Sequence, residues 1–329
     1  MTTRVSELQI SRNLVNQIAQ NRAQVDKYSN EISSGVKVDS PGDSNFSGTI
    51  AQYQDTLAKL GAYKNRISFV QGFLEFQDNA VTQVGDLLTR AKEIAEQGAN
   101  GSISSQARSE LAPEVFQLRD QLVALANSTY QGRYVWGGAD DDDPPYDPQT
   151  YTNYGSTASS QRYTFDNEAG TAIQRTINIG QDLDVTINTP ANDVFDRAIQ
   201  GLERLGRALE GYDTQPASGA PTGAGGAYTF PADYTNQTNA IKSAMDLMDT
   251  ARKNDVVPEQ VSIGARLKRL DTATSLIELT ENSSKEVLSK LQDADYTDSI
   301  SNLNLAQTAL QAAMTVTSRV LSQSILDYI

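Results

Sequence analysis

The last thirty residues constrain this chain more than any other stretch. From Ile300 to Ile329 the only charges are Arg319 and Asp327. Apolar or small residues recur at Ile300, Leu303, Leu310, Met314, Thr317, Leu321 and Tyr328, the three-and-four alternation of a helix packed along a partner helix. A second line runs through Leu305, Ala309, Ala312, Val316, Val320 and Ile325. A helix apolar along two lines needs a neighbour on each. This end therefore predicts assembly.

The start of the chain has the same character. Leu14, Ile18, Val25, Tyr28 and Ile32 share one heptad frame, with Asn21 as its polar interruption. Short helices of this kind are marginal alone, because nucleation is costly. Both ends are expected to be poorly ordered in a lone chain and helical once packed. The expected packing is between chains. Its residues are Leu14, Ile18, Val25 and Ile32 at one end and Leu303, Leu310, Met314, Val316, Leu321, Ile325 and Leu326 at the other.

Charge and composition remove several functional classes. A net charge of −14 argues against nucleic acid, which is bound through Lys and Arg contacts to phosphate. It argues equally against an anionic membrane surface. The chain has no Cys and no His. That excludes thiol nucleophiles, imidazole acid–base chemistry and His-containing metal centres, and no cofactor fingerprint is present. A carboxylate-pair hydrolase stays formally open through the many Asp residues. No apolar run is long enough to span a bilayer, and no N-terminal stretch has the parts of a cleavable signal.

Between the ends, helical periodicity alternates with loops. A long helix is predicted over roughly 45–97, with Ile67, Val70, Leu74, Val81, Val84, Leu88, Ala91 and Ala95 as its seam and Gln77 inside it. Gln97–Gly101 reads as a helix stop. A helix over about 103–129 follows. There Pro113 implies either a kink or a fresh start with Pro in the first turn. Residues 139–192 read as a β-rich insert, with strand-like runs at Gln161–Phe165, Ala172–Ile179 and Leu183–Ile187. Helices return at about 193–210 and 233–253, separated by a Gly/Pro/Ala/Thr-rich stretch at 211–232. Pro258 reads as the opening of another long helix carrying Ile263, Leu267, Leu270, Ile277, Leu288 and Leu291.

The fold class is therefore mainly α with a small β-rich insert: a long-helix bundle with coiled-coil terminal helices brought together. The halves divide as 1–44 and 295–329 for the terminal domain, 45–138 and 193–294 for the bundle and 139–192 for the insert. In this palindromic order the insert is expected at the pole opposite the chain ends.

Local clusters have bland readings that outweigh the sharp ones. The Asp140–Asp143 run lacks the Gly spacing and closing Glu of a calcium loop, so it reads as a solvated boundary. Tyrosines 130, 134, 146, 151, 154 and 163 could stack a sugar or a base, but packing of the insert explains them more simply. Trp136 is either an anchor between insert and bundle or a contact between subunits. Asn100-Gly101-Ser102 and Asn127-Ser128-Thr129 fit the glycosylation triplet, which is common by chance. Ser33–Asp43 lacks the Gly-Lys-Ser/Thr ending of a phosphate loop.

Four stretches carry a resemblance. Ser34-Gly35-Val36-Lys37-Val38-Asp39-Ser40-Pro41-Gly42-Asp43 resembles the loop after the first helix of bacterial flagellins and their relatives, with Ser34, Gly35, Asp39 and Asp43 at its marked positions. The run Ser318–Ile329 resembles the flagellin-type C-terminus. Leu125-Ala126-Asn127 followed by Gly132-Arg133-Tyr134-Val135-Trp136-Gly137-Gly138 is similar to a run in the hook–filament junction branch of that family, as is Ile263–Asp271. The resemblance covers about 1–138 and 193–329, and Pro113 departs from it.

The resemblance implies a structural subunit of the bacterial flagellum, not an enzyme. Its terminal helices would form an inner coiled-coil domain, the long helices a bundle around it, and the insert an outward projection. Such a subunit would leave the cell unfolded through the flagellar export channel, with a chaperone shielding its C-terminal helix. It would join copies of itself between the first hook-associated protein and flagellin. The alternative within the family is flagellin, the filament subunit.

Overall fold

The computed structural model describes residues 2–37, 46–138, 141–150, 161–165, 175–212 and 233–326, of which 2–8, 10, 11, 149, 150, 161–165 and 320–326 are described by backbone alone. The chain packs as two compact units, Met1–Gly61 with Ile277–Ile329, and Ala62–Leu276. Helix predominates, with a few short strands, and the fold class read from periodicity holds.

In the first unit, α1 (Thr2–Ser34) pairs with the last helix, α9 (Tyr296–Leu326). The end of α1 lies beside the start of α9, since Glu31 meets Ser299; the two helices therefore run antiparallel. The half-buried positions of α1 are Leu14, Ile18, Asn21, Val25, Tyr28 and Ile32, the heptad frame written into the sequence.

The second unit is built on α2 (Ser47–Ala99), which continues into it from the first. The eight predicted seam residues of α2, from Ile67 to Ala95, are all buried. Gln77 is fully buried among them, and its side-chain amide has no hydrogen-bond partner. The expected helix over 103–129 is two: α3 (Ser105–Ser109), capped by Ser104 Oγ, and α4 (Ala112–Ala126). Pro113 lies in the first turn of α4, where its missing N–H leaves no bond unmade.

The expected helix over 193–210 is likewise α5 (Ala191–Val194) and α6 (Asp196–Glu210). Helix α6 packs between α4 and α7 (Tyr234–Ala251) through two glycines. A Cβ on Gly206 would come within 2.6 Å of the Phe116 ring, and one on Gly201 within 2.6 Å of Met248 Cγ. Close backbone approach, not conformational freedom, requires glycine at both.

Pro258 does not open a separate helix. The residues of α7 run through a π-helical segment, Arg252–Val256, directly into α8 (Val257–Gln292). The wider π turn accommodates the proline, which has no N–H to donate and would otherwise crowd the preceding turn.

Three two-stranded antiparallel ladders complete the described residues. They are β1 (Thr129–Tyr130) with β2 (Arg133–Tyr134), β3 (Tyr146–Thr150) with β4 (Gln161–Phe165), and β5 (Thr176–Gly180) with β6 (Leu183–Thr186). The runs 161–165 and 183–187 correspond to β4 and β6. Of the run 172–179, residues 172–174 lie outside the described residues. Residues 213–232 of the predicted flexible loop also lie outside them.

Candidate assembly interface

The seam of α9 differs from the one expected. Its buried and half-buried positions include Ser299, Leu303, Ala306, Leu310, Ala313 and Thr317, again in four-three alternation. Leu303 and Leu310 therefore lie, half-buried, on the stripe of α9 that meets α1 of the same chain. Small residues at 299, 306 and 313 occupy the remaining seam. Ile300 and Met314, expected on the seam, flank it and are 48% and 55% exposed.

The second apolar line stays in solvent. Leu305 is 66% exposed and Val316 50% exposed, with Ala309 and Ala312 exposed between them. At 3.6 residues per turn this line lies roughly 110° from the seam. Val15, 57% exposed, adds an apolar position on α1. Leu321, Ile325 and Leu326 belong to α9, but their side chains lie outside the described residues.

A clip holds the two helices in register. Gly35 ends α1 in the left-handed region (φ 73°), where glycine pays no Cβ penalty. Ala294 N–H then donates to Gly35 O at 2.9 Å, and Lys37 N–H donates to Gln292 O at 2.7 Å. The Tyr296 hydroxyl sits 2.9 Å from where a Gly35 Cβ would be. Asp295 starts α9 by accepting from Thr297 N–H at 2.8 Å. Ser34 Oγ donates to Asn30 O at 2.7 Å. Asp39 and Asp43 lie outside the described residues.

The motif from Gly132 to Gly138 lies in the second unit. Gln131 (φ 52°) and Gly132 (φ 84°) turn β1 into β2, and both φ > 0 positions match a type I′ hairpin. Trp136 is fully buried, its ring edge-on to Phe195 at 5.1 Å, and Ala191 N–H donates to its carbonyl at 2.9 Å. That places the indole inside the chain, fixing the insert root to α5. Gly138 adopts φ 68° and its carbonyl accepts from Asn188 Nδ2 at 3.0 Å.

Asp141 is not a solvated member of an acidic run. Its carboxylate is buried and bridges Arg133 (2.7 Å) and Arg175. Burial alone would raise this carboxyl, but hydrogen bonds and charge from Arg175 and Arg133 outweigh it and hold it below its ordinary value. Arg175 is 34 residues away in the chain, so no local pattern announced the bridge.

A second carboxylate group gathers where α5, α6, the π segment and α8 meet. Burial raises Asp196, and Gln200 and Arg197 offset only part of that. Burial also raises Asp255 despite Arg197, with Asp193 and Asp196 adding to it. Burial raises Glu259 against the opposing pull of Thr189 and Arg266. Among the described residues, no group of three or more His, Cys, Asp or Glu is arranged to hold a metal ion. Nor, among them, is any helix long and apolar enough to cross a membrane.

Two long chain ends paired as helices, with apolar residues left facing outward, are the build of a structural subunit. Residues 5–140 match the bacterial flagellin N-terminal helical region, and residues 245–329 match the bacterial flagellin C-terminal helical region. The chain belongs to the bacterial flagellin family. Flagellar hook-associated protein 3 of Salmonella typhimurium is 24% identical over 304 residues, covering 90% of each chain. The structure of a flagellar hook-associated protein from Vibrio parahaemolyticus shares the fold (TM-score 0.58, 18% identity, 76% of this chain and 100% of that one). FlgL of Xanthomonas campestris does so as well (TM-score 0.55, 20% identity, 72% and 99%). These relatives place the chain beside the hook-associated members of the family.

Proposed function

We propose that this chain is an adaptor subunit at the hook–filament junction, seated between the first hook-associated protein and flagellin. The observation that carries this reading is the divided use of α9. One stripe is occupied by α1, while Leu305, Ala309, Ala312 and Val316 remain for a neighbour. Burying an exposed Leu or Val contributes about 1.5–3 kcal/mol, so a few such residues per subunit suffice to hold a stack of copies and unlike neighbours together. The work is mechanical: the family is structural rather than enzymatic. The same apolar stripe gives a cytoplasmic export chaperone a surface to shield before the chain leaves the cell.

Immunolabelling of intact flagella, viewed by electron microscopy, tests the reading. A single narrow band where hook meets filament is expected. Label along the whole filament would mean that the chain is the filament subunit.

A further inference from the structure

A cleft of about 210 Å³ opens beside the Arg133–Asp141–Arg175 bridge. It is smaller than the roughly 300–1,000 Å³ of drug-sized sites, so it admits one ring. One wall is aromatic. Tyr130 packs its ring against Phe69 and Phe73 at centroid distances of 6.1 and 5.7 Å, Phe69 remains 39% exposed, and Tyr134 joins them. The other wall is polar, with Gln131, Arg133 and Arg175 converging on the same space.

Two features of this wall exceed what the fold needs. First, two guanidiniums share the one buried carboxylate, and each reaches it through Nη1 alone. Their remaining N–H groups carry no hydrogen bond to another described side chain, and Arg133 is 60% exposed. Asp142 lies 3.8 Å from Arg133 and is 84% exposed. Two guanidiniums facing two carboxylates balance in charge, and the N–H groups beyond Nη1 are left as donors to spare. Second, Gln131 holds a left-handed backbone where a type I′ turn favours Asn or Gly. The turn does not ask for Gln, but a Gln there sets a long amide at the cleft.

We infer that this cleft binds a carboxylate-bearing monosaccharide of the uronic acid type. The ring lies on the Tyr130–Phe69 wall with its C–H face. The carboxylate takes the spare donors of Arg133 and Arg175. A ring hydroxyl bonds the Gln131 amide. The cleft residues all belong to the second unit, Ala62–Leu276.

The test is calorimetric titration of the full chain at low salt with D-glucuronate, and with D-glucose and acetate as probes of ring and charge alone. Saturable glucuronate binding is expected, about tenfold or more tighter than either control. Arg133→Gln is expected to weaken it about tenfold or more, through loss of a charge-assisted bond. Gln131→Gly is expected to weaken it too, while melting at or above the parent temperature because the turn strain is relieved. No saturation by glucuronate, equal binding of glucose or acetate, or unchanged affinity in a folded Gln131→Gly chain would each overturn the inference.

Discussion

Ser299 donates a hydrogen bond to Glu31 across the pairing of the terminal helices, at 3.1 Å, with both residues buried. The carboxylate also faces Lys27 at 3.9 Å, one helical turn back. A polar pair inside an apolar seam fixes register, because sliding either helix leaves a buried acceptor unmet. Ser299→Ala should destabilise the pairing by about 1–3 kcal/mol. Faster amide hydrogen exchange in α1 and α9, with the second unit unchanged, would show it. Unaltered protection would remove the pair from any role in register.

The two stripes of α9 should separate by mutation. Leu305→Asp with Val316→Asp touches the exposed line and should leave helix content unchanged while abolishing incorporation into flagella. Leu310→Asp touches the seam with α1 and should reduce helix content as well, since a buried unpaired charge is costly. Circular dichroism and a motility assay read the two effects. Normal motility in the first variant would refute the outward line as the assembly surface.

Gly206→Ala should lower stability by about 1–3 kcal/mol, because its Cβ would meet the Phe116 ring. Phe116→Leu in the same chain should recover part of the loss, by opening that contact. Urea unfolding of the four chains in a double-mutant cycle measures the coupling. Additive losses would mean that the two residues do not touch.

Gln77→Leu should raise stability by about 1–3 kcal/mol. The amide is fully buried with neither atom bonded, and replacing it by a similar-sized apolar group removes an unmet desolvation cost. A lower urea midpoint in the variant would count against this account.

Asp196, Asp255 and Glu259 have raised folded values, so the folded chain holds their protons to higher pH than the unfolded chain does. Their linkage makes stability fall as pH rises from the ordinary carboxylate range, about 4, through the raised values, and recover on acidification. Asp141 is lowered and runs the other way; its contribution is present above about pH 4 and lost as pH drops through its folded value. Melting temperature against pH for Glu259→Gln should slope less steeply downward than the parent above about pH 4. Superimposable profiles would exclude Glu259 from the linkage.

The long helices were legible because burial follows a 3.6-residue period. The seam of α2 is apolar at nearly every buried turn, and the frame of α1 was complete even at Asn21. The stripe of α9 that meets α1 was harder to read, for a physical reason. Ser299, Ala306 and Ala313 have little apolar surface, so periodicity weighted by hydrophobicity favoured Ile300 and Met314 beside them. The β1–β2 hairpin has two residues per strand, too few for any alternation to register. The π segment was hidden because Pro258, a strong helix-start signal, lies inside a helix that has already widened to receive it. The Asp141 bridge joins residues that only the folded insert brings together.

The clip at Gly35 has a consequence for how this surface can change over generations. Its key bonds run between backbone atoms, Ala294 N–H to Gly35 O and Lys37 N–H to Gln292 O. Substitutions on the solvent side of α9 leave these atoms untouched. Substitutions at Leu305 or Val316 can thus accumulate from one generation to the next without touching the atoms that keep the chain's own ends paired.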